Sequence, residues 1–425
     1  MKIKCLLFFA TAFAVAATFA AAEPIYITAA RMIEPATGAV VSEPAIVIDN
    51  GKIVSVGTKT TLAAPEGATR VDLGAKTILP GLIDMHTHLI GDPTLGGYRG
   101  LSATREGSAI HGVVNARKTL MAGFTTVRNV GADDYADVAL RDAINDGTIP
   151  GPRMYVSGPP VGIIGGHCSD NNLLPADFHD AGEGVATGPW EMRAKVRNNI
   201  KYGVDLIKTC STGGVFSKGT VPGAEQNTIE EMSAIVAEAH QRGLKVASHA
   251  HGNAGIMNAI KAGVDTIEHA SYLDKEAINM AKSRGVYLAM DIYNTEYTQA
   301  EGRKNGELEE FLKKDADIAE IQRESFRAAV KAGAKVIYGT DSGVYPHGDN
   351  AKQFYWMVKY GMTPVEALRS ATSLAAEALG KGDMLGRIKA GFAADIIAVD
   401  SDPLSDVAVL ENVGFVMKDG VVYKD

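Results

Sequence analysis

Eight short apolar runs, most of them followed by a stretch with helical periodicity, occupy residues 80–381 of this chain. The runs span residues 83–89, 125–130, 153–157, 206–211, 245–251, 266–270, 286–291 and 335–340. Several of the intervening amphipathic stretches, such as 229–242 and 253–262, end in glycine just before the next run, as helices commonly do. The alternation predicts an α/β fold, a (β/α)8 TIM barrel. An open doubly wound sheet is the alternative, but no Gly-x-Gly-x-x-Gly turn follows an early strand.

The two ends of the chain have a different pattern. Residues 23–79 and 382–425 contain short β-rich runs, and the dipeptides Asn50-Gly51 and Asp419-Gly420 separate runs of this kind. Such dipeptides are strong hairpin signals. Because neither segment alone would bury a core, we expect them to pair into one small β-sandwich beside the 80–381 barrel.

The first 22 residues have the composition of a cleaved secretory signal. Lys2 and Lys4 precede an apolar run over residues 5–19, and Ala20, Ala21 and Ala22 precede Glu23. The apolar run is too short for a stable transmembrane helix, so we expect no membrane insertion, cleavage near Ala22 and a periplasmic or secreted protein.

Charge and cysteine content narrow the class of protein further. The net charge is −8, and cleavage would remove two lysines and no acid, which disfavours nucleic acid and anionic membranes as partners. Only Cys168 and Cys210 follow the signal. One possible pair is no disulfide scaffold, so a large apolar core must supply the stability.

The first barrel strand ends in two histidines. His86 and His88 are spaced i, i+2, which places both imidazoles on one face of a strand. Two neutral imidazoles at the end of a buried strand are suited to hold a divalent metal. A polar pair where a strand meets a loop is the alternative explanation.

Later runs also end in polar side chains, which in order are Lys208, His249, His251, His269 and Asp341. Barrel enzymes build their active sites at the carboxyl ends of the strands. One such residue would be ordinary, but an ordered series on strands one, four, five, six and eight is hard to explain by packing.

These residues together resemble the amidohydrolase superfamily. Its strand-one motif stands here as Leu79-Pro-Gly-Leu-Ile-Asp-Met-His-Thr-His88, and the segment 386–399 is similar to its C-terminal signature. The nearest subgroup is the imidazolonepropionase-like and Xaa-Pro dipeptidase-like branch. That branch contains dipeptidases acting on C-terminal amino acids and relatives that hydrolyse the amide of ochratoxin A.

The resemblance implies a pair of divalent metal ions, usually Zn²⁺. It assigns His86, His88 and Asp341 to the buried ion, His249 and His269 to the more exposed ion, and Lys208, carboxylated on its amine, to both. Two such ions would make hydroxide available near neutral pH. Asp341 would accept its proton and deliver it to the leaving nitrogen.

Lys208 and Cys210 leave alternatives open. A lysine after an apolar run more often reaches solvent or pairs with a carboxylate. Cys210 would share the strand face of Lys208, and its thiolate could bridge metals instead. A Cys168–Cys210 disulfide is a further option in an oxidising compartment.

The remaining histidines differ in their expected roles. His167, on a glycine-rich loop after strand three, could donate to the substrate carbonyl or the oxyanion, and His251 could contact the substrate. The same role is open to His347, whereas a structural or solvated role is expected for His111, His179 and His240.

Substrate choice must come from the loops after the strands. The loop 213–223 offers Ser217 and Lys218 to a carboxylate, unless it is simply a surface loop. Residues 354–356 are an aromatic cluster that could supply an apolar wall, although such clusters are more often core.

The favoured function is hydrolysis of C-terminal amides in dipeptides or N-acyl amino acids, and in an aryl amide such as ochratoxin A. A cyclic-amide hydrolase of the imidazolonepropionase type is the alternative among enzymes, and a catalytically silent metal-binding periplasmic protein is the alternative among binding proteins. The resemblance also implies a homo-oligomer.

Overall fold

The computed structural model describes residues 23–168, 173–178 and 182–425. The predicted signal at residues 1–22 lies outside these ranges, as does His179. Among the described residues, we find no helix of the length and apolarity needed to cross a bilayer.

Seven strands come first among the described residues: β1 (Ile25–Thr28), β2 (Arg31–Glu34), β3 (Ala39–Ser42), β4 (Pro44–Asp49), β5 (Lys52–Thr58), β6 (Thr69–Asp72) and β7 (Thr77–Pro80). Four of them form a sheet in the order β5-β4-β1-β6. Asn50 and Gly51 connect β4 to β5 with φ values of +48° and +74°. Both values lie in the left-handed region that a two-residue hairpin turn requires, so the predicted hairpin is confirmed.

Eight parallel strands follow: β8 (Leu82–Thr87), β9 (Phe124–Asn129), β10 (Arg153–Val156), β11 (Leu206–Cys210), β12 (Lys245–Ala250), β13 (Thr266–His269), β14 (Tyr287–Ala289) and β15 (Val336–Ile337). Each lies within, or one residue outside, one of the eight predicted runs. Their regular pairing gives a three-stranded sheet, β10-β9-β8, and a five-stranded sheet, β11-β12-β13-β14-β15. The predicted α/β class is confirmed, but the regular ladder is not one continuous ring.

Backbone hydrogen bonds connect these two sheets at both seams. Val161 N–H donates to Lys208 O at 2.8 Å, and Met85 N–H donates to Tyr338 O at 2.8 Å. The regular ladder is interrupted after β10 because Pro159 and Pro160 have no N–H to donate. It is interrupted after β15 because that strand has only two residues.

Eleven α-helices lie in the described ranges: α1 (Arg105–Met121), α2 (Ala136–Asn145), α3 (Gly188–Lys201), α4 (Ile229–His240), α5 (Asn253–Ala262), α6 (Lys275–Arg284), α7 (Asn294–Asn305), α8 (Glu309–Lys331), α9 (Gln353–Lys359), α10 (Pro364–Ser370) and α11 (Ser373–Ala378). Short 3₁₀ helices span Gly97–Ser102, Asp133–Tyr135, Asn350–Lys352 and Val407–Asn412. A capping box between Thr228 and Glu231 starts α4 at its predicted position. Buried side chains such as Phe124, Ile235 and Phe326 belong to the main apolar core, which joins strands and helices.

Three C-terminal strands complete the fold: β16 (Ile396–Val399), β17 (Phe415–Lys418) and β18 (Val421–Lys424). They join strands from the other end of the chain in a six-stranded sheet, β18-β17-β16-β7-β2-β3. Ile27, Ile78, Ile396 and Met417 belong to one apolar cluster that both terminal segments supply. The two ends therefore stabilise each other, while the exact domain boundaries stay a prediction.

Candidate metal centre

One cavity gathers the polar side chains that follow the parallel strands. Its volume is about 250 Å³. Its lining includes all the residues assigned from the sequence to metal binding or catalysis: His86, His88, His167, Lys208, His249, His251, His269 and Asp341. The strands bring these residues together because the carboxyl ends of parallel strands face the same side.

His86, His88 and Asp341 converge at one side of this cavity. The Oδ1 atom of Asp341 lies 3.4 Å from His86 Nε2 and 3.3 Å from His88 Nε2. On the far sides of the rings, His86 Nδ1 lies 2.9 Å from Glu268 Oε2 and His88 Nδ1 lies 3.3 Å from Gly131 O. Both Nε2 atoms are therefore directed toward the carboxylate, as ligands of a shared ion would be.

A second group comprises His249, His251 and His269, whose ligand atoms lie within 4.8 Å of one another. In each ring, one nitrogen contacts a neighbouring side chain or backbone oxygen. His269 Nδ1 lies 2.8 Å from Asp291 Oδ1, His251 Nδ1 lies 2.7 Å from Ser271 Oγ, and His249 Nε2 lies 3.3 Å from Gly213 O. One nitrogen of each imidazole is thus left for the cavity.

Burial keeps these imidazoles neutral. It lowers the pKa of His249 and His251 well below the ordinary value and lowers the pKa of His269 to about 3. Neutral imidazole is the form that binds a metal.

Lys208 lies in the same lining with only 4% of its surface exposed. Burial lowers the pKa of its amine to about 8. A larger fraction of this amine is therefore neutral near pH 7 than in an ordinary lysine. The neutral amine is the form that can react with CO₂ to give a carbamate.

Two of the predicted ligands have unusual backbone conformations. His269 has φ +69° and Asp341 has φ +58°, both in the left-handed region. Non-glycine residues in this region cost about 1–3 kcal/mol and persist where the surroundings impose them, often at functional sites.

Beneath the cavity lies a buried ion pair that sequence reasoning missed. Arg128 Nη2 donates to Glu268 Oε1 at 2.7 Å and to Oε2 at 2.8 Å, and neither side chain is appreciably exposed. Burial alone would raise the pKa of Glu268, but Arg128 and His86 lower it below the usual range. The available signals were an arginine inside a buried apolar run and a glutamate next to His269.

Two further carboxylates were missed. Asp291 holds His269, and its place at the end of the seventh predicted run was the signal for it. Asp84, inside the strand-one motif, accepts hydrogen bonds from Thr340 N–H at 3.1 Å and Asn350 Nδ2 at 2.8 Å. Burial raises its pKa to about 6. These contacts tie β8 to the segment that carries Asp341.

His167 reaches the cavity from the loop after β10. Its backbone N–H donates to Gln226 Oε1 at 2.9 Å, and its Nδ1 lies 2.9 Å from Ser217 Oγ. The His167 and His249 ring centroids are 4.1 Å apart. Ser217, which the sequence offered to a substrate carboxylate, thus contacts a cavity histidine.

Cys168 and Cys210 form a disulfide in the cavity lining, with Cα atoms 5.7 Å apart. Of the alternatives open at the sequence level, the disulfide is the one present. Cys210 is therefore not a free thiolate in this structure.

Other predicted contacts lie elsewhere. His347 does not line the cavity, because it is buried with its Nε2 3.1 Å from the backbone oxygen of His88. Lys218 lines a wider outer cavity of about 840 Å³ and lies 3.0 Å from the Tyr98 hydroxyl.

Phe354 belongs to the buried core, as its helical spacing suggested. His111 lies 3.5 Å from Asp92, and His240 lies 2.9 Å from Asp265.

The donor sets suit divalent metal ions. One group offers two imidazoles and a carboxylate, and the other offers three imidazoles, each with ligand atoms within 4.8 Å. Nitrogen and carboxylate oxygen donors in such numbers are those used by catalytic zinc sites, which keep a position open for water or substrate.

Comparison with known proteins places this site in a family. A sequence model described as the amidohydrolase family matches residues 77–423. This chain belongs to the amidohydrolase family. Ochratoxinase from Aspergillus niger is 33% identical to this chain over an alignment 426 residues long. The alignment covers 93% of this chain and 86% of that protein.

Two further relatives fall in the branch to which the sequence motifs pointed. A solved Xaa-Pro dipeptidase with methionine bound in its active site superposes on this amidohydrolase with a TM-score of 0.89 and 37% identity, covering 95% of this chain and 100% of the other. Imidazolonepropionase from Fusobacterium nucleatum is 24% identical over 398 residues, covering 85% of this chain and 86% of that protein.

Proposed function

We propose that this amidohydrolase uses two divalent metal ions, Zn²⁺, to hydrolyse C-terminal amide bonds of dipeptides or N-acyl amino acids, including ochratoxin A. The observation that carries the proposal is the convergence of two three-ligand groups and a buried lysine on one cavity. We propose further that the eight parallel strands form a (β/α)8 barrel whose ring is completed at the two hydrogen-bonded seams.

The ligands divide between the ions as the residues group in space. His86, His88 and Asp341 form one group and would hold one ion. His249, His251 and His269 form the second group, of which His249 and His269 would hold the other ion while His251 is left to contact the substrate. Lys208, carboxylated on Nζ, would be the shared anionic ligand. When bound, the ions supply a water of lowered pKa and a Lewis acid for the substrate carbonyl.

The side chains of the cavity perform the proton transfer and the positioning. Asp341 accepts the proton of the attacking water and delivers it to the leaving nitrogen. Burial alone would raise the pKa of Asp341, but His86 and His88 lower it, which keeps the carboxylate ionised and ready to accept. His167, which approaches from the loop side, donates to the substrate oxygen, and His251 contacts the substrate.

The substrate class is supported by the relatives and by the lining. One relative is a dipeptidase with an amino acid in its active site, and another is an ochratoxinase. Val130, Val215, Phe216 and Ile318 give the inner cavity an apolar wall, which suits an apolar or aromatic amino acid side chain. We propose further that the protein is exported, that its signal is cleaved near Ala22 and that it forms a homo-oligomer.

A metal and substrate assay tests this function. The purified protein is analysed for bound metal and then screened with Xaa-Pro and other dipeptides, N-acyl amino acids, ochratoxin A, hydantoins and lactones. We expect about two ions per chain and turnover of at least one C-terminal amide. Turnover of cyclic amides alone, or less than about one ion per active chain, would overturn the proposal.

Asp341→Asn separates catalysis from folding. The variant is expected to keep the fold and much of the bound metal while losing hydrolysis, because an amide cannot accept the proton. Near-normal hydrolysis by Asp341→Asn would reject the proton-transfer role.

A further inference from the structure

Cys210 lies next to two histidines as well as next to its disulfide partner. It ends β11, two residues after Lys208, and is almost completely buried. Ligand atoms of His167, Cys210 and His249 lie within 4.8 Å of one another. The hydrolytic centre proposed above uses His249 as a metal ligand and His167 as a donor to the substrate oxygen, and it gives Cys210 no role.

The trio has the composition of a soft metal site. A cysteine thiolate and two imidazoles are ligands that zinc and similar transition metals prefer. In the disulfide the sulfur of Cys210 carries no charge and is a poor ligand, so this set is incomplete while Cys168 and Cys210 are bonded.

We propose that reduction of the Cys168–Cys210 disulfide creates a third metal site, formed by His167, Cys210 and His249, for a borderline or soft divalent cation. The inference rests on the proposed function in one respect, because His249 belongs to both sites. A cation held by the trio therefore competes with the ion that His249 and His269 would hold.

A trialkylphosphine supplies the electrons for reduction of the disulfide, and water supplies the oxygen and protons that balance the reaction. The phosphine gives two electrons to the disulfide and becomes a phosphine oxide, taking its oxygen from water. The two protons of that water convert the two sulfurs to thiols, and the cation then displaces the proton of the Cys210 thiol.

The local geometry favours binding once the sulfur is free. The rings of His167 and His249 are 4.1 Å apart at their centroids, so little movement is needed to bring both to one ion. His167 is held by Ser217 at one nitrogen and His249 by Gly213 O at one nitrogen, which leaves the second nitrogen of each ring available.

Cobalt substitution tests the proposal without an activity measurement. Co²⁺ is added to the full chain, with Cys5→Ser in every sample so that the other two of the three cysteines are those of the disulfide. A phosphine is used because it contains no thiol. We expect a thiolate-to-cobalt charge-transfer band in the near ultraviolet after reduction and no such band in the oxidised protein.

Two variants identify the sulfur. Cys168→Ser leaves Cys210 unpaired and is expected to show the band without reductant. Cys210→Ser is the matched control, in which Cys168 is free instead, and is expected to show none. If either variant folds poorly, the reduced protein that retains both Cys168 and Cys210 gives an independent measurement.

The possible results separate this site from the hydrolytic centre. Cobalt d–d absorption without a charge-transfer band in both the reduced protein and Cys168→Ser would overturn the third site and leave the proposed function standing. A band in Cys210→Ser but not in Cys168→Ser would also overturn it, because the ligand would then be Cys168. If cobalt binds neither the oxidised nor the reduced protein, both proposals are overturned.

Discussion

His86 and Glu268 are in contact across the interior of the protein, with His86 Nδ1 2.9 Å from Glu268 Oε2. His86 lies on β8 and Glu268 on β13, in a different sheet. Because Arg128 holds the same carboxylate, the orientation of a predicted metal ligand depends on a buried charge from a third strand. A ligand imidazole oriented in this way presents its other nitrogen to the ion in a fixed tautomer.

Glu268→Gln is expected to weaken metal binding about 10–100-fold, because the amide no longer fixes the His86 tautomer. It should also lower the free energy of unfolding by about 3–5 kcal/mol, because Arg128 is left as an unpaired buried charge. Competition with a chelator measures the first effect, and denaturant unfolding of the metal-free protein measures the second.

Glu238→Gln is the matched control for this prediction. Glu238 is buried too, and it pairs with Arg193 and Arg197, none of which lines the cavity. Its replacement should lower stability without changing metal affinity. Equal metal affinity in Glu268→Gln and the wild type would contradict the role of Glu268.

Asp291→Asn should loosen the ion held by His249 and His269 and spare the other. Asp291 Oδ1 lies 2.8 Å from His269 Nδ1, whereas the contacts of His86 and His88 do not involve it. The expected result is retention of about one ion per chain under a chelator concentration that leaves the wild type with about two. Asp137→Asn, at a buried carboxylate outside the cavity, serves as the control and should retain both ions. If Asp291→Asn loses both ions at that chelator concentration, the prediction that Asp291 supports only the ion of His249 and His269 is wrong.

Lys208→Ala should lose hydrolysis and recover part of it with added acetate or propionate. The cavity left by the side chain can admit a small carboxylate, which replaces the carbamate as an anionic two-oxygen ligand. Lys208→Arg is the control, because arginine cannot be carboxylated and leaves no such space. Activity of Lys208→Arg near that of the wild type would show that no carbamate is needed.

Ser217→Ala should lower kcat about two- to tenfold with little change in KM, because a hydrogen bond that orients a side chain is worth about 0.5–1.5 kcal/mol. Ser217 Oγ lies 2.9 Å from His167 Nδ1, and the variant leaves this ring without its partner. Ser217→Thr retains the hydroxyl and should restore most of the rate. If Ser217→Ala instead raises KM alone, Ser217 binds substrate, as the sequence suggested.

Glu307 is expected to make substrate affinity fall as the pH rises. It lines the outer cavity, and burial raises its pKa to about 7. The carboxyl is neutral below that pH and anionic above it, so it repels the carboxylate of a dipeptide only at the higher pH. KM for a dipeptide should therefore increase through pH 7, and Glu307→Gln should remove the increase. Glu309→Gln, at an exposed carboxylate paired with Arg303, should retain it. A pH-independent KM in the wild type would show that Glu307 does not face the substrate.

The amino-acid sequence by itself determined the order of the elements and the positions of the predicted ligands. Apolar runs located the parallel strands, and Asn50-Gly51 located a hairpin, because periodicity and turn chemistry are local properties. The ligands His86, Lys208, His249, His269 and Asp341 could be placed at one face of the fold because parallel strands end at the same edge.

Only the tertiary structure decided which side chains support those ligands. Glu268 holds His86 over a separation of 182 residues, and Asp291 holds His269. Cys210 could be a ligand or a disulfide partner until the loop of Cys168 was placed beside it. The physical reason is that a hydrogen bond or a disulfide depends on distances of a few ångströms between strands and loops. Strand periodicity fixes the direction of each side chain, but not the neighbour that it meets.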